Sequence, residues 1–412
     1  MKSFLHLDFE SRSTQELHGS ESVGLYNYWL HPDTKPLMLA YAFGNGETKL
    51  WEIVKQKNIP KDLEEGLFDL DRPLMAWNSS FERYGLKFGL EIETAIERWS
   101  DPQASARYLS LPGALDKVGN ILALAPEFKK DGRGEDLIKL FSEPRVIRKK
   151  KIEGQGSLFD GELGLNFNDW NSHPVEWQEF CEYCKKDVIA EREIMRKEML
   201  LRVFPLPELE RKIWVFDQKV NDRGMPVDVD FVKNMYALGT RSKKEAVERQ
   251  NKLTGLENAN SPKQMLVWVQ KQGYEPNTLR KDTVESWIKY HSDKLTPICV
   301  DALKARRAAS STTYTKLATV LRQVSADGRL RQAFLYMGSA RCGRWSSGAA
   351  QLHNLARPGI LNDYNFEDEE VVSEARAMVN KMDYEGIQQK YGSVLLVIKN
   401  LIRTIFSVER LR

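Results

Sequence analysis

Asp8 and Glu10 stand two residues apart, within and just after a stretch, Phe4 to Phe9, whose apolar residues alternate. That alternation predicts a strand, and residues two apart on a strand project from the same face. Two carboxylates on one face of an inner strand repel each other and lose hydration unless a cation sits between them. The pair therefore points to a divalent metal, with a solvated strand end as the plain alternative. Two further acidic patterns lie downstream. Asn78-Ser79-Ser80-Phe81-Glu82 follows the short run Pro73 to Trp77 and places Glu82 at a strand-to-helix junction, where a carboxylate also simply favours a helix start. Tyr183-Cys184-Lys185-Lys186-Asp187 sets Tyr183 and Asp187 four apart, on one face of a helix, which an amphipathic edge would do as well. Cys181-x-x-Cys184 has no second pair to complete a zinc site, and the six scattered His suggest none. Four Cys are too few for a disulfide framework.

The elements that must position these residues read as strands first and helices after. Leu37 to Phe43 and Thr48 to Ile53 flank a Gly44-Asn45-Gly46 turn, and Pro174 to Arg202 forms a long helix with Glu176 and Glu179 in its first turns. An α/β or α+β layer over 1–205 follows, interrupted by an aperiodic, exposed loop at about 144–166. From 206 to 326 the pattern is helical, with stops at Gly224, Gly255 and Gly273, a start at Ser261-Pro262, and one long basic helix expected over Ile298 to Ser325. Residues 327–412 form a third region. It opens rich in Gly, Ser and Arg and closes on an apolar stretch, Val394 to Phe406, expected to lack its packing partner.

Composition limits the function classes. The 412 residues, 42% apolar and 29% charged, suit two or three globular domains. No apolar run reaches the roughly 18–20 residues that cross a bilayer, and carboxylates within the first ten residues argue against an export signal, so a cytoplasmic protein is expected. The net charge of +3 hides an asymmetry: residues 1–200 carry 27 basic and 34 acidic side chains, residues 201–412 carry 34 and 24. A polyanion is the expected partner of the second half.

Taken together and in order, the three acidic patterns resemble the motifs of the DEDDy branch of the DnaQ-like 3′ to 5′ exonucleases, which have an RNase H-like fold. The second motif departs, with Glu82 where Asp is usual. The resemblance implies that Asp8, Glu10 and Asp187 hold two Mg²⁺ or Mn²⁺ ions with help from Glu82, that Tyr183 orients the attacking water, and that Asn78 meets the DNA strand. Carboxylates suit such chemistry, since paired hard cations want oxygen ligands and neutralise the attacking and leaving oxygens of a phosphodiester displacement.

A second resemblance lies further on. Asp327-Gly328-Arg329, Gly343-Arg344-Trp345-Ser346-Ser347 and Gln351-Leu352-His353-Asn354-Leu355-Ala356-Arg357 resemble the segment that opens the polymerase domain of family A, DNA polymerase I-like enzymes. Asn221 to Asp228, Asn260 to Gln264 and Ser310 to Lys316 resemble the thumb of its phage-type branch. By this resemblance Arg344, Ser346, Gln351, Asn354, Arg329 and Arg357 meet primer-template DNA, while Lys304, Arg307 and Lys316 track phosphates. Ile402 to Phe406 resembles the segment that precedes the palm strand bearing Asp-x-x-x-x-Glu, which the chain does not reach. The expected activity is thus 3′ to 5′ trimming of single-stranded DNA ends for proofreading in replication, without nucleotidyl transfer by this chain alone. An RNA-trimming exonuclease and a non-catalytic primer-template-binding accessory are the alternatives. Within the loop, Gln155, Leu158 and Phe159 resemble short peptides that dock on sliding clamps, the alternative being that the apolar pair packs back on its own domain.

Overall fold

The computed structural model describes residues 2–128, 133–147, 164–274, 278–291, 294–309, 313–339, 342–348 and 350–406. Its contacts divide the chain into two compact units, Met1–Gly224 with Arg331–Ala349, and Met225–Leu330 with Ala350–Arg412. No helix among the described residues is long and apolar enough to cross a membrane.

The first unit is a mixed α/β fold on a five-stranded sheet. Its strands are β1 (Leu5–Arg12), β2 (Lys35–Phe43), β3 (Lys49–Trp51), β4 (Leu74–Met75) and β5 (Trp99–Ser100), in the order β3-β2-β1-β4-β5. β1 pairs antiparallel with β2 and parallel with β4, so the strand that the alternation of its residues predicts lies inside the sheet. Leu5, Leu7 and Phe9 enter one core with Leu39, Tyr41 and Trp99. The opposite pleat carries His6, Asp8 and Glu10, in register with Ala42, Ala40 and Met38 of β2. That side of β2 packs with Trp177, Phe180, Cys181, Tyr183 and Cys184 of the long helix Pro174–Met195. Alanines at 40 and 42 keep the helix close to the sheet, and the helix sits over the strand face that holds the carboxylates.

The units are drawn differently from the expected segments 1–205, 206–326 and 327–412. The helix Glu208–Arg223 buries Trp214 in the core beneath the sheet, so it belongs to the first unit. It also holds the antiparallel hairpin Phe334–Ser339/Arg344–Ser347. Asn221 acts as a side-chain strand partner, donating from Nδ2 to the Phe334 carbonyl and accepting from the Phe334 N–H, both at 3.0 Å. Trp345 Nε1 donates to Asp217 at 2.6 Å, and the Tyr336 hydroxyl to Glu210 at 2.6 Å. Helical periodicity identified this helix but not the body to which its polar stripe is fastened.

The second unit is helical. The helix Val229–Thr254 is capped by Asp228 and ends at left-handed Gly255. Of the expected long basic helix, Pro297–Ala309 and Thr313–Gln323 are described, and both are helical. The apolar stretch at Val394 is not left bare: Val394, Leu395, Val397, Ile398, Leu401, Ile402 and Ile405 are all buried, against the helix Val229–Thr254 among others. Of the expected loop, only the ends are described, and they pair as strands, Arg145–Ile147 with Gly164–Asn166. Gln155, Leu158 and Phe159 lie outside the described residues.

Asp217 supplies a test of the hairpin's anchor. It is 3% exposed, and burial pushes its carboxyl up to about 6 despite donation from Trp345, Gln218 and Asn221. A carboxyl raised in the folded state keeps its proton while the unfolded chain, near 3.8, has already lost it, so stability falls as pH rises from about 4 to about 6. Asp217→Asn retains an acceptor for Trp345 and does not titrate. Urea unfolding should show the variant gaining on the parent across that window by on the order of 2 kcal/mol. Parallel pH profiles for the two proteins would contradict this.

Candidate metal centre and candidate nucleic-acid surfaces

Asp8, Glu10 and Asp187 converge where β1 crosses the long helix: one carboxylate oxygen from each lies within 4.8 Å of the other two. The pleat supplies the first two and the helical repeat the third. Asp187 is 6% exposed, while Asp8 and Glu10 are half-buried. Three carboxylates this close, with limited hydration, raise one another's energy, and a hard divalent cation is the partner that their oxygens suit. The thiols nearby do not compete as ligands. Burial pushes Cys181 up to about 12 and Cys184 well above the usual thiol range, so both stay protonated.

Glu82 is not one of this trio. The helix Ser80–Tyr84 brings it under β1, 3% exposed, where its carboxylate accepts from the backbone N–H of Phe9, the residue between Asp8 and Glu10. Burial first, then the charges of Glu191 and Asp101, hold its carboxyl well above the usual range. Its Oε2 is buried without a hydrogen-bond partner. A buried carboxylate oxygen left without a partner is one that a cation could satisfy.

The turn before Glu82 is fixed by Asp101, whose step to Pro102 marks a helix start but not its hold on this turn. Asn78 is left-handed, φ 65°, a conformation asparagine tolerates, and its side chain is exposed. Asp101 accepts from the N–H groups of Asn78 and Ser79, both at 3.1 Å, and caps the helix Pro102–Tyr108 through Gln103. Tyr183, one turn before Asp187, is 2% exposed and stacks on Phe180. Gly134 makes room for it: a Cβ there would lie 2.1 Å from Tyr183 Cε2.

The expected DNA-contacting residues are divided between the two units. Exposed Arg344 and half-buried Ser346 stand on the hairpin of the first unit, where Gly338 leaves space for the Ser346 hydroxyl. Lys304, Arg307, Lys316, Arg329, Gln351, Asn354 and Arg357 belong to the second. Lys316 donates to the Asn354 carbonyl at 2.7 Å, so that pair is joined, and Gln351, Asn354 and Arg357 are exposed. Arg307 is paired with Glu285, which reduces the free charge expected of it. Lys304 is exposed on a groove of about 1040 Å³, lined also by Arg249, Arg306, Arg307 and Lys399.

No protein-family model matches the chain. Over 402 residues, 98% of its length, it is 31% identical to the DNA polymerase of Bacillus phage SP02. The chain is a relative of a phage DNA polymerase. It spans 57% of that relative. Among solved structures, the POL domain of Pol1 from M. smegmatis, in complex with DNA primer-template and dNTP, superposes with a TM-score of 0.51 at 16% identity, over 86% of this chain and 53% of that one. The structural likeness speaks to fold, and both findings agree with the resemblance to the DNA polymerase I-like enzymes.

The charge cluster implies a trade between stability and metal binding. Asp8→Asn removes one of three mutually repelling carboxylates, so the metal-free variant should melt at or above the parent's temperature while the stabilisation given by Mn²⁺ disappears. Thermal unfolding with and without Mn²⁺ checks both halves. A variant that melts lower and keeps its Mn²⁺ gain would show that the trio is not a metal site.

Proposed function

We propose that this chain is part of a family A-type DNA polymerase acting in replication, with a two-metal 3′ to 5′ proofreading exonuclease in the first unit and primer-template-binding surfaces in both. The observation that carries the reading is the convergence of Asp8, Glu10 and Asp187 within 4.8 Å. Mg²⁺ or Mn²⁺ bound there would supply charge neutralisation and a deprotonated water for in-line phosphodiester displacement. Asp8, Glu10 and Asp187 hold the ions, and Glu82 offers its orphaned oxygen. Tyr183 orients the attacking water. Its ring is clamped between Phe180 and the Gly134 backbone, and such packing leaves the hydroxyl little freedom. Asn78, exposed at the turn, is placed to meet the strand whose 3′ end enters.

Arg344 and Ser346 supply a minor-groove contact from the hairpin, with little base preference because that groove is degenerate. Lys304, Lys316, Arg329, Gln351, Asn354 and Arg357 contribute contacts to phosphate and groove from the second unit. Arg307 contributes less, because Glu285 already holds it.

The test is release of nucleotides from 3′-labelled single-stranded DNA by purified protein. Trimming should need Mg²⁺ or Mn²⁺ and fall at least about 100-fold in the Asp8→Ala/Glu10→Ala variant, while Tyr183→Phe lowers the rate with Mn²⁺ affinity intact. Trimming that survives chelation would sink the two-metal reading, and primer-template binding with no trimming would favour the non-catalytic accessory. For the DNA surfaces, Lys304→Ala should weaken binding alike across sequences and lower the slope of log affinity against log salt by about 0.9. An unchanged slope would remove Lys304 from the phosphate contacts.

A further inference from the structure

Beside the carboxylate trio the same strand and helix also meet through a buried polar contact. His6 Nδ1 lies 2.8 Å from Glu191 Oε1, with His6 7% and Glu191 3% exposed. His6 precedes Asp8 by two residues on the same face of β1, a step of about 6.8 Å. Glu191 follows Asp187 by four residues on the same face of the long helix, a step of about 6 Å. The two steps match to within about 1 Å, so the His6–Glu191 contact repeats the Asp8–Asp187 crossing one interval further along, strand and helix running in opposite directions.

Glu191 reaches a third element as well. Its carboxylate accepts from the backbone N–H of Trp77, at the end of β4, and its charge acts on Glu82 and Asp101. One buried carboxylate thus touches β1, which carries Asp8 and Glu10, and the strand end leading into the turn that carries Glu82, while standing on the helix that carries Asp187. An apolar pair here would tolerate sliding of the helix along the sheet by a fraction of a residue. A directional, buried hydrogen bond between two fixed side chains does not.

We propose that His6 and Glu191 are positioning residues that set the strand-to-helix register, and through it the spacing of Asp8, Glu10 and Asp187 on which divalent-metal affinity depends. The inference rests on the metal-centre reading. Neither residue is among the three convergent ligands. They act on those ligands as outer contacts act at metal sites generally, where their loss costs about 10- to 100-fold in metal affinity.

The experiment is a Mn²⁺ titration of the full chain, free of DNA, by electron paramagnetic resonance, with circular dichroism on the same samples. His6→Ala and Glu191→Ala should each weaken Mn²⁺ binding at least tenfold with the native spectrum retained. The double variant should be little weaker than either single one, since both break the same contact. Glu191→Gln keeps the size and one acceptor, stands in should the alanine variant fail to fold, and should fall between parent and alanine. Ile194→Ala, a buried change on the same helix, should lower stability and leave Mn²⁺ affinity unchanged. Parent-like affinity in the His6 and Glu191 variants, with binding lost in Asp8→Ala, would overturn the inference and leave the metal centre standing. Absence of any Asp8-dependent Mn²⁺ binding by the parent would remove the metal centre and this inference with it.

Discussion

Three carboxylates held within 4.8 Å of one another, one of them buried, are a standing repulsion that the fold of the first unit must withstand. A flexible chain would let them drift apart into water. Here the backbone prevents it: Asp8 and Glu10 sit on an inner strand, paired with β2 at both positions and with β4 at Leu5 and His6, and Asp187 on the middle of a 22-residue helix whose aromatic side packs on the sheet. Trp177, Phe180, Phe141 and the small residues Ala40 and Ala42 supply apolar contact at that seam. Burying such surface stabilises by about 25 cal/mol per Å², enough over several aromatic side chains to offset charge repulsion of a few kcal/mol. The trio therefore stands on a paired strand and a packed helix, the kind of support that a site for small, hard cations would require.

The polar groups around the trio divide the task. Asp101 shapes the turn at Asn78, the Phe9 N–H takes one side of the Glu82 carboxylate, and Gly134 admits the Tyr183 ring. In the same unit, lining one pocket with Asn78 and Asp101, Asp217 and Asn221 fasten the hairpin that presents Arg344. A hairpin of two short strands is marginal alone, so these side-chain bonds and the burial of Tyr336 make it a fixed surface.

Much of this was legible in the sequence where a regular period carried it. The two-residue step from Asp8 to Glu10 and the four-residue step from Tyr183 to Asp187 are the periods of strand and helix, and both place their residues as read. The caps at Ser261, Gly224 and Gly255 follow from local chemistry and stand as expected. What periodicity cannot carry is which distant element a face meets. Glu191 continues the helical step from Asp187 and His6 the strand step from Asp8, yet nothing local says that the two meet across 185 residues. Asp101-Pro102 marks a helix start, yet nothing local says that Asp101 also holds the turn at Asn78, and the helix at Glu208 reads as the first of a helical region although its Trp214 lies under the sheet. Val394 to Phe406 looked bare because its cover, the helix Val229–Thr254, lies about 150 residues earlier in the chain.

The central claim is that the repulsion among Asp8, Glu10 and Asp187 exists to be relieved by divalent cations. The most direct measurement is anomalous X-ray scattering from crystals of the chain grown with Mn²⁺. The account predicts manganese peaks in contact with carboxylate oxygens of all three residues, with Glu82 turned toward one of them. Manganese bound elsewhere, with the trio holding only water or a lysine side chain, would contradict it.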